Sequence, residues 1–155
     1  MEAIIFIGIQ GSGKSTFYQE RFFDTHVRIN LDMLKTRHRQ HLLRAACLSA
    51  GQRFVLDNTN VSREERGETI QLARAARFAV HGYFFEPEPE RNLRWNAQRS
   101  GKAVIPVKGV LGTLKRLERP RWEEGYDRLF RVTVDVENRF VVEEWVRPGA
   151  AKQSG

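Results

Sequence analysis

Apolar positions along the chain follow two rhythms. Residues 3–9, AIIFIGI, are an unbroken apolar run, as a strand buried on both faces requires. Shorter runs recur at 26–30 (HVRIN), 53–58 (RFVLDN) and 78–86 (FAVHGYFFE). Between them the apolar spacing relaxes to that of helices. A first helix is predicted from about Lys14 to Phe23 and a second over 32–49. A third starts at Ser62, where Glu65 three residues on completes a capping-box pair, and runs to about Arg77. A fourth covers 87–99, with acidic residues in its first turn. Pro106 opens another, which places Val107, Val110, Leu111, Leu114 and Leu117 on one face. Two strands, LFRVTVDV and RFVVEEWV, close the pattern across a tight turn at Glu137-Asn138.

Strand and helix in alternation predict an α/β protein, a mainly parallel sheet with helices on both faces. No repeat or linker interrupts the pattern, so residues 1–147 are expected to form a single domain and 148–155 a disordered tail. Ligands of such sheets bind beyond the carboxyl ends of the strands. Gly8–Ser15, Asp32, Asp57–Asn60 and Glu86 should therefore converge on one edge.

Composition narrows the setting. Of 155 residues, 41% are apolar and 29% charged, a balance expected of a globular domain with no membrane partner. The start, MEAIIFIGIQGSGK, lacks the charged head and cleavage site of a signal peptide. A lone cysteine, Cys47, permits no internal disulfide and fits a reducing interior, so a cytoplasmic protein is expected. The net charge of +7, mostly from arginine, suits polyanionic partners through phosphate contacts, or equally a solvated basic surface.

The strongest chemical signal is GIQGSGKS at 8–15, which matches G-x-x-x-x-G-K-[ST] between a predicted strand and a predicted helix. Gly8, Gly11 and Gly13 let successive backbone N–H groups turn toward phosphate oxygens, and the helix dipole adds favourable potential there. Gln10, Ser12 and Thr16 belong to the same cradle. Lys14 is expected to reach the β- and γ-phosphates, and the Ser15 hydroxyl to ligate Mg²⁺. The base-reading N-K-x-D motif of GTPases is absent, and LDN stands where motor ATPases carry an acidic pair. Small phosphotransferases fit best.

A phosphotransferase needs a base beside the acceptor and cations on the moving phosphoryl group. Asp32 sits where the second strand hands over to a helix, as either an N-cap or a general base; Lys35 does not complete a capping box. Asp57 ends the third strand in VLDNTN, as a Mg²⁺ ligand through water, an acceptor-orienting group, or an Asx-turn. Arg91, Arg94, Arg99 and Lys102 crowd residues 91–102, either a solvated helix face or a lid made mobile by Gly101 and the loop to Pro106. His38 and His41 stand one helical turn apart without a third metal ligand at suitable spacing.

GxxGSGKST, NLD after the second strand, LDNTN and RWNAQRSGKAVIP together resemble the kinase domain of the 5′-polynucleotide kinase family, over about residues 3–118. They are also similar to bacterial P-loop kinases known only as AAA-family ATPases. The resemblance implies a five-stranded P-loop kinase fold with an arginine-bearing lid and a tunnel. ATP would enter one side and the 5′-hydroxyl end of DNA or RNA the other, with no required protein partner. It implies that Lys14 and Ser15 serve ATP and Mg²⁺, that Asp32 is the general base, and that Arg99 bridges the ATP phosphates from the lid. Asp57, with Thr59 and Asn60, would lie at the acceptor site, and Lys35 and Arg37 near the acceptor's own phosphate.

Two positions depart from the family. Lys35 stands where it often has arginine, which keeps the charge and loses the bidentate fork. Trp95 stands where the lid commonly carries a further arginine, with Arg91 and Arg94 nearby; it reads first as core, and otherwise as a stacking platform. No D-x-D-x-[TV] phosphatase signature is present. The alternatives are a kinase of a small hydroxyl compound, such as a nucleoside or sugar, and a non-kinase RNA-binding switch driven by ATP.

Overall fold

A computed structural model of the chain describes residues 1–99, 101 and 104–149. Six strands alternate with helices: β1 (Glu2–Ile7), α1 (Lys14–Arg21), β2 (Val27–Ile29), α2 (Leu31–Leu34), α3 (Arg37–Ala50) and β3 (Phe54–Leu56) make the first half. α4 (Arg63–Ala75), β4 (Ala79–Phe85), α5 (Pro89–Ala97), α6 (Val107–Arg116), a 3-10 turn at Trp122–Glu124, β5 (Arg128–Val134) and β6 (Phe140–Trp145) make the second. The sheet order is β2-β3-β1-β4-β5-β6, parallel throughout except for β6, which pairs antiparallel with β5. The sheet thus has one strand more than the resemblance implied. The addition follows from the tight turn, where Asp135 Oδ1 accepts from the backbone N–H groups of Glu137 and Arg139, each at 2.9 Å.

β1 explains the layering. Its alternate side chains divide between two cores: Ala3, Ile5 and Ile7 face Cys47 of α3 and Ile70 and Ala73 of α4. Ile4 and Phe6 face Phe17 and Tyr18 of α1, with Phe85 beside them. A strand covered on both faces has no polar side, hence its unbroken apolar run. α4 starts as predicted, with Ser62 Oγ accepting from Glu65 N at 3.1 Å. α6 differs from the expectation: Val110 is buried, but Val107 and Leu111 lie exposed.

The predicted helix over 32–49 is two helices. α2 is a single turn that ends at Lys35, whose φ of 75° is left-handed. Thr36 then caps α3 by accepting from Arg39 N at 3.2 Å. The cap of α2 is Asn30, whose Oδ1 accepts from Met33 N at 2.9 Å, so Asp32 lies within the first turn and is not its cap.

Arg66 of α4 is fully buried and joins distant segments. Its guanidinium donates to both Glu124 carboxylate oxygens (2.8 and 3.1 Å), to Asn60 O (2.8 Å) and to Glu118 O (3.0 Å). A charge without water requires this degree of pairing.

Candidate active site

The loop 8–13 leaves β1, turns at Gly11 and Gly13 (φ 75° and 87°) and enters α1 at Lys14. Lys14 folds back over it, and Nζ donates to Gly8 O (2.9 Å) and Ile9 O (2.8 Å). Burial pulls the ammonium down to about 8; the Asp57 charge opposes this, Arg99 adds to it and Asp32 opposes it. These long-range charges belong to the groups expected to share the site.

A cavity of about 660 Å³ opens over this loop. It is lined by Gln10–Thr16, Trp95, Arg99 and Phe140, together with Asn30, Asp32, Arg37, Gln40, Asp57 and Asn58–Asn60. The fold therefore brings together Lys14, Ser15, Asp32, Arg37, Asp57, Thr59, Asn60 and Arg99. Gly8 is not in the wall but supplies a carbonyl to Lys14.

Some expected residues stand elsewhere. Lys35 is exposed and outside the cavity wall, because the chain reverses there and Lys35 no longer shares a helical face with Asp32. Arg37, at the start of α3, lines the wall in its place. Glu86 also lies outside, gripped by Arg119 and by Arg131 Nε at 3.2 Å. Burial works to raise its carboxyl, but those two arginines outweigh it and hold the group below its ordinary range. Asn60 is buried, and its amide donates to Phe6 O at 2.7 Å, so it holds β1 to the end of β3 more than it faces a ligand.

The segment expected to form a lid is anchored as well. Asn92 Nδ2 donates to Gly11 O at 3.2 Å, and Asn96, also buried, exchanges two hydrogen bonds with Ile105 (2.7 and 3.1 Å). These bonds join Asn96 to Ile105, and Lys102 falls outside the described residues. Trp95 is not core: it is half-buried in the cavity wall, with the Arg91 guanidinium 5.2 Å from its ring centroid. Arg91 itself is buried and pairs with Glu88 at 2.6 Å, so neither it nor the exposed Arg94 lines the cavity.

The chief residue missed in the sequence is Arg28 of β2. Its Nε donates to Asp57 Oδ2 and its Nη2 to Ser15 Oγ, each at 2.8 Å. A charged residue inside a strand of a covered parallel sheet was the available signal. In the β2–β3 register Arg28 stands opposite Val55, two residues before Asp57 and thus diagonal to it on the same face. Ser15 and Asp57, the oxygens expected to serve Mg²⁺, already share a cation; a hydroxyl with a carboxylate is a donor pair that Mg²⁺ accepts. Asn138 and Phe140 of the final hairpin were also unforeseen in the wall. Phe140 and Trp95 close so tightly on Gly13 that a Cβ there would fall 2.8 Å and 2.9 Å from their rings.

The fold is the one seen in P-loop kinases, and solved structures share it. A gluconokinase from Sinorhizobium meliloti 1021 superimposes with a TM-score of 0.57 at 19% identity, over 85% of this chain and 82% of that one. A chain of the PezAT toxin-antitoxin system of Streptococcus pneumoniae does so with a TM-score of 0.70 at 15% identity, over 97% and 75%. Among curated proteins, the bifunctional polynucleotide phosphatase/kinase of Schizosaccharomyces pombe (strain 972 / ATCC 24843) is 24% identical over 135 residues, 84% of this chain. The chain spans only 33% of the length of that relative. No helix among the described residues is long and apolar enough to cross a membrane. The AAA domain family (AAA_33) matches residues 4–120, from β1 through α6 and just past it, and the chain belongs to that family.

Proposed function

We propose that the protein is an ATP-dependent kinase that phosphorylates the 5′-hydroxyl of a nucleic acid. The observation that carries this reading is one cavity lined together by the phosphate cradle, Arg99, Asp32 and Arg37. The likeness in sequence to a protein named as a polynucleotide phosphatase/kinase supports the acceptor class. Asp32 is exposed to the cavity on a one-turn helix, able to take the proton of an incoming hydroxyl. Lys14 and Arg99 meet the charge that develops on the transferred phosphoryl group. Arg37 meets a phosphate of the acceptor strand. When bound, Mg²⁺ would neutralise charge on the triphosphate, held by Ser15 and, through water, by Asp57.

Transfer of label from γ-labelled ATP to a 5′-hydroxyl DNA or RNA oligonucleotide tests the proposal. Absence of transfer by protein that binds ATP would refute it. A second reading, a kinase of a small hydroxyl compound, draws on a cavity lining that among the described residues has only Arg37 as a cation besides Lys14 and Arg99, and on a fold shared with a gluconokinase. Transfer to nucleosides or sugars with none to oligonucleotides would select it.

A further inference from the structure

We propose that Arg28 is a built-in counter-ion at the divalent-metal position, which keeps free metal out until a triphosphate arrives. The inference rests on reading the cradle as a nucleotide site.

The Asp57 side chain is only 2% exposed, so its charge must have a partner at all times. Arg28 is that partner, and the same guanidinium reaches across to Ser15 Oγ. It therefore spans the gap between the hydroxyl and the carboxylate that a metal would occupy. The ring of Tyr18, 6.0 Å from the guanidinium carbon, backs it. Asn30 Nδ2, donating to Asp57 O at 2.6 Å, fixes the strand end from which the carboxylate projects.

A divalent ion entering alone would meet both this cation and the ammonium of Lys14, and like charges at such range repel strongly where water is scarce. A triphosphate changes the balance. It brings several negative charges and offers a guanidinium planar, bidentate oxygen partners to replace Asp57. Asp57 and Ser15 then become free to bind metal in the step that seats the nucleotide. Metal and nucleotide affinities are positively coupled by this exchange, and the coupling is reciprocal. Nothing comparable follows from Arg28 as a mere structural partner, which would hold Asp57 with nucleotide present or absent.

Titration of nucleotide-free protein with Mn²⁺, followed by electron paramagnetic resonance, reads the proposal directly. Arg28→Gln is expected to bind free Mn²⁺ about tenfold or more tighter than wild type, and its melting temperature should rise with Mn²⁺ while that of wild type does not. Equal Mn²⁺ affinity in the two proteins overturns the proposal. Because Arg28→Gln strands a buried carboxylate and could fail to fold, wild-type protein supplies a second reading. Its Arg28 Nε–H resonance should shift on addition of Mg²⁺ with a non-hydrolysable ATP analogue; a resonance that stays in place also overturns the idea. Failure to bind the analogue at all would defeat the nucleotide reading instead, and the free Mn²⁺ comparison would still decide the role of Arg28.

Discussion

The backbone carbonyl of Asn92 stands 2.0 Å from where a Cβ on Gly11 would be. The backbone of α5 thus packs against the phosphate loop with no room for a side chain, at a residue whose φ is itself positive. Gly11→Ala is expected to cost roughly 2–4 kcal/mol, from left-handed strain and overpacking together. Denaturant unfolding measures this, and binding of an ATP analogue should fall with it. An alanine variant as stable as wild type would mean that α5 yields easily.

Asp32 is exposed, so its removal should be felt in chemistry and not in stability. Asp32→Asn is expected to lower kcat by about 10²–10⁴, with unfolding free energy changed by less than about 0.5 kcal/mol. Steady-state kinetics beside thermal melts check both. An Asn variant of full activity would remove Asp32 from the role of base.

The reversal at Lys35 separates two neighbouring cations. Arg37→Ala should raise KM for an oligonucleotide roughly tenfold or more, the loss of one charge-assisted phosphate contact. Lys35→Ala should change it by less than about twofold, since Lys35 is outside the cavity wall. The reverse order of effects would show that the acceptor approaches by a different route.

Lys14 gives a pH dependence with a definite sign. Its folded value of about 8 lies below the ordinary 10.5. Between those values the unfolded chain holds a proton that the folded, unliganded protein has released. Stability contributed by this group therefore rises as pH climbs through that window. Nucleotide affinity moves the opposite way, because the charged form meets the phosphates. Calorimetry near pH 9 in two buffers of different ionisation enthalpy should show uptake of about one proton per ADP bound. Binding without proton uptake would contradict it.

The strands and the cradle were legible because their signals are local. An apolar run such as AIIFIGI has no other stable use than a covered strand, and GIQGSGKS carries its geometry in its glycines. Asp32 could be placed because strand ends in a parallel sheet share an edge, a rule that failed for Glu86; Arg99 was placed only by the resemblance of its segment to a kinase lid. Lys35 could not: a left-handed lysine has no glycine, proline or asparagine signal to mark it, so the pattern ran on as one helix. Arg28 and Asn60 were hidden for another reason, since their partners lie 29 and 54 residues away across the sheet. Trp95 was misplaced because an aromatic at helical spacing looks the same whether it faces a core or a cavity. Asn96 took its meaning only from Ile105 closing the loop around it.

Arg66 bears on how the molecule comes apart. A single guanidinium holds the backbone at Asn60, the backbone at Glu118 and the carboxylate of Glu124. Glu118 N also donates to Val61 O at 2.7 Å. Opening any one of these segments exposes a buried charge, so they open together or not at all. Amide hydrogens around residues 61, 118 and 125 should therefore exchange as one unit. The backbone at Asn60, just beyond β3, cannot fray apart from Glu124, because Arg66 holds both and reaches the carboxylate across 58 residues of sequence.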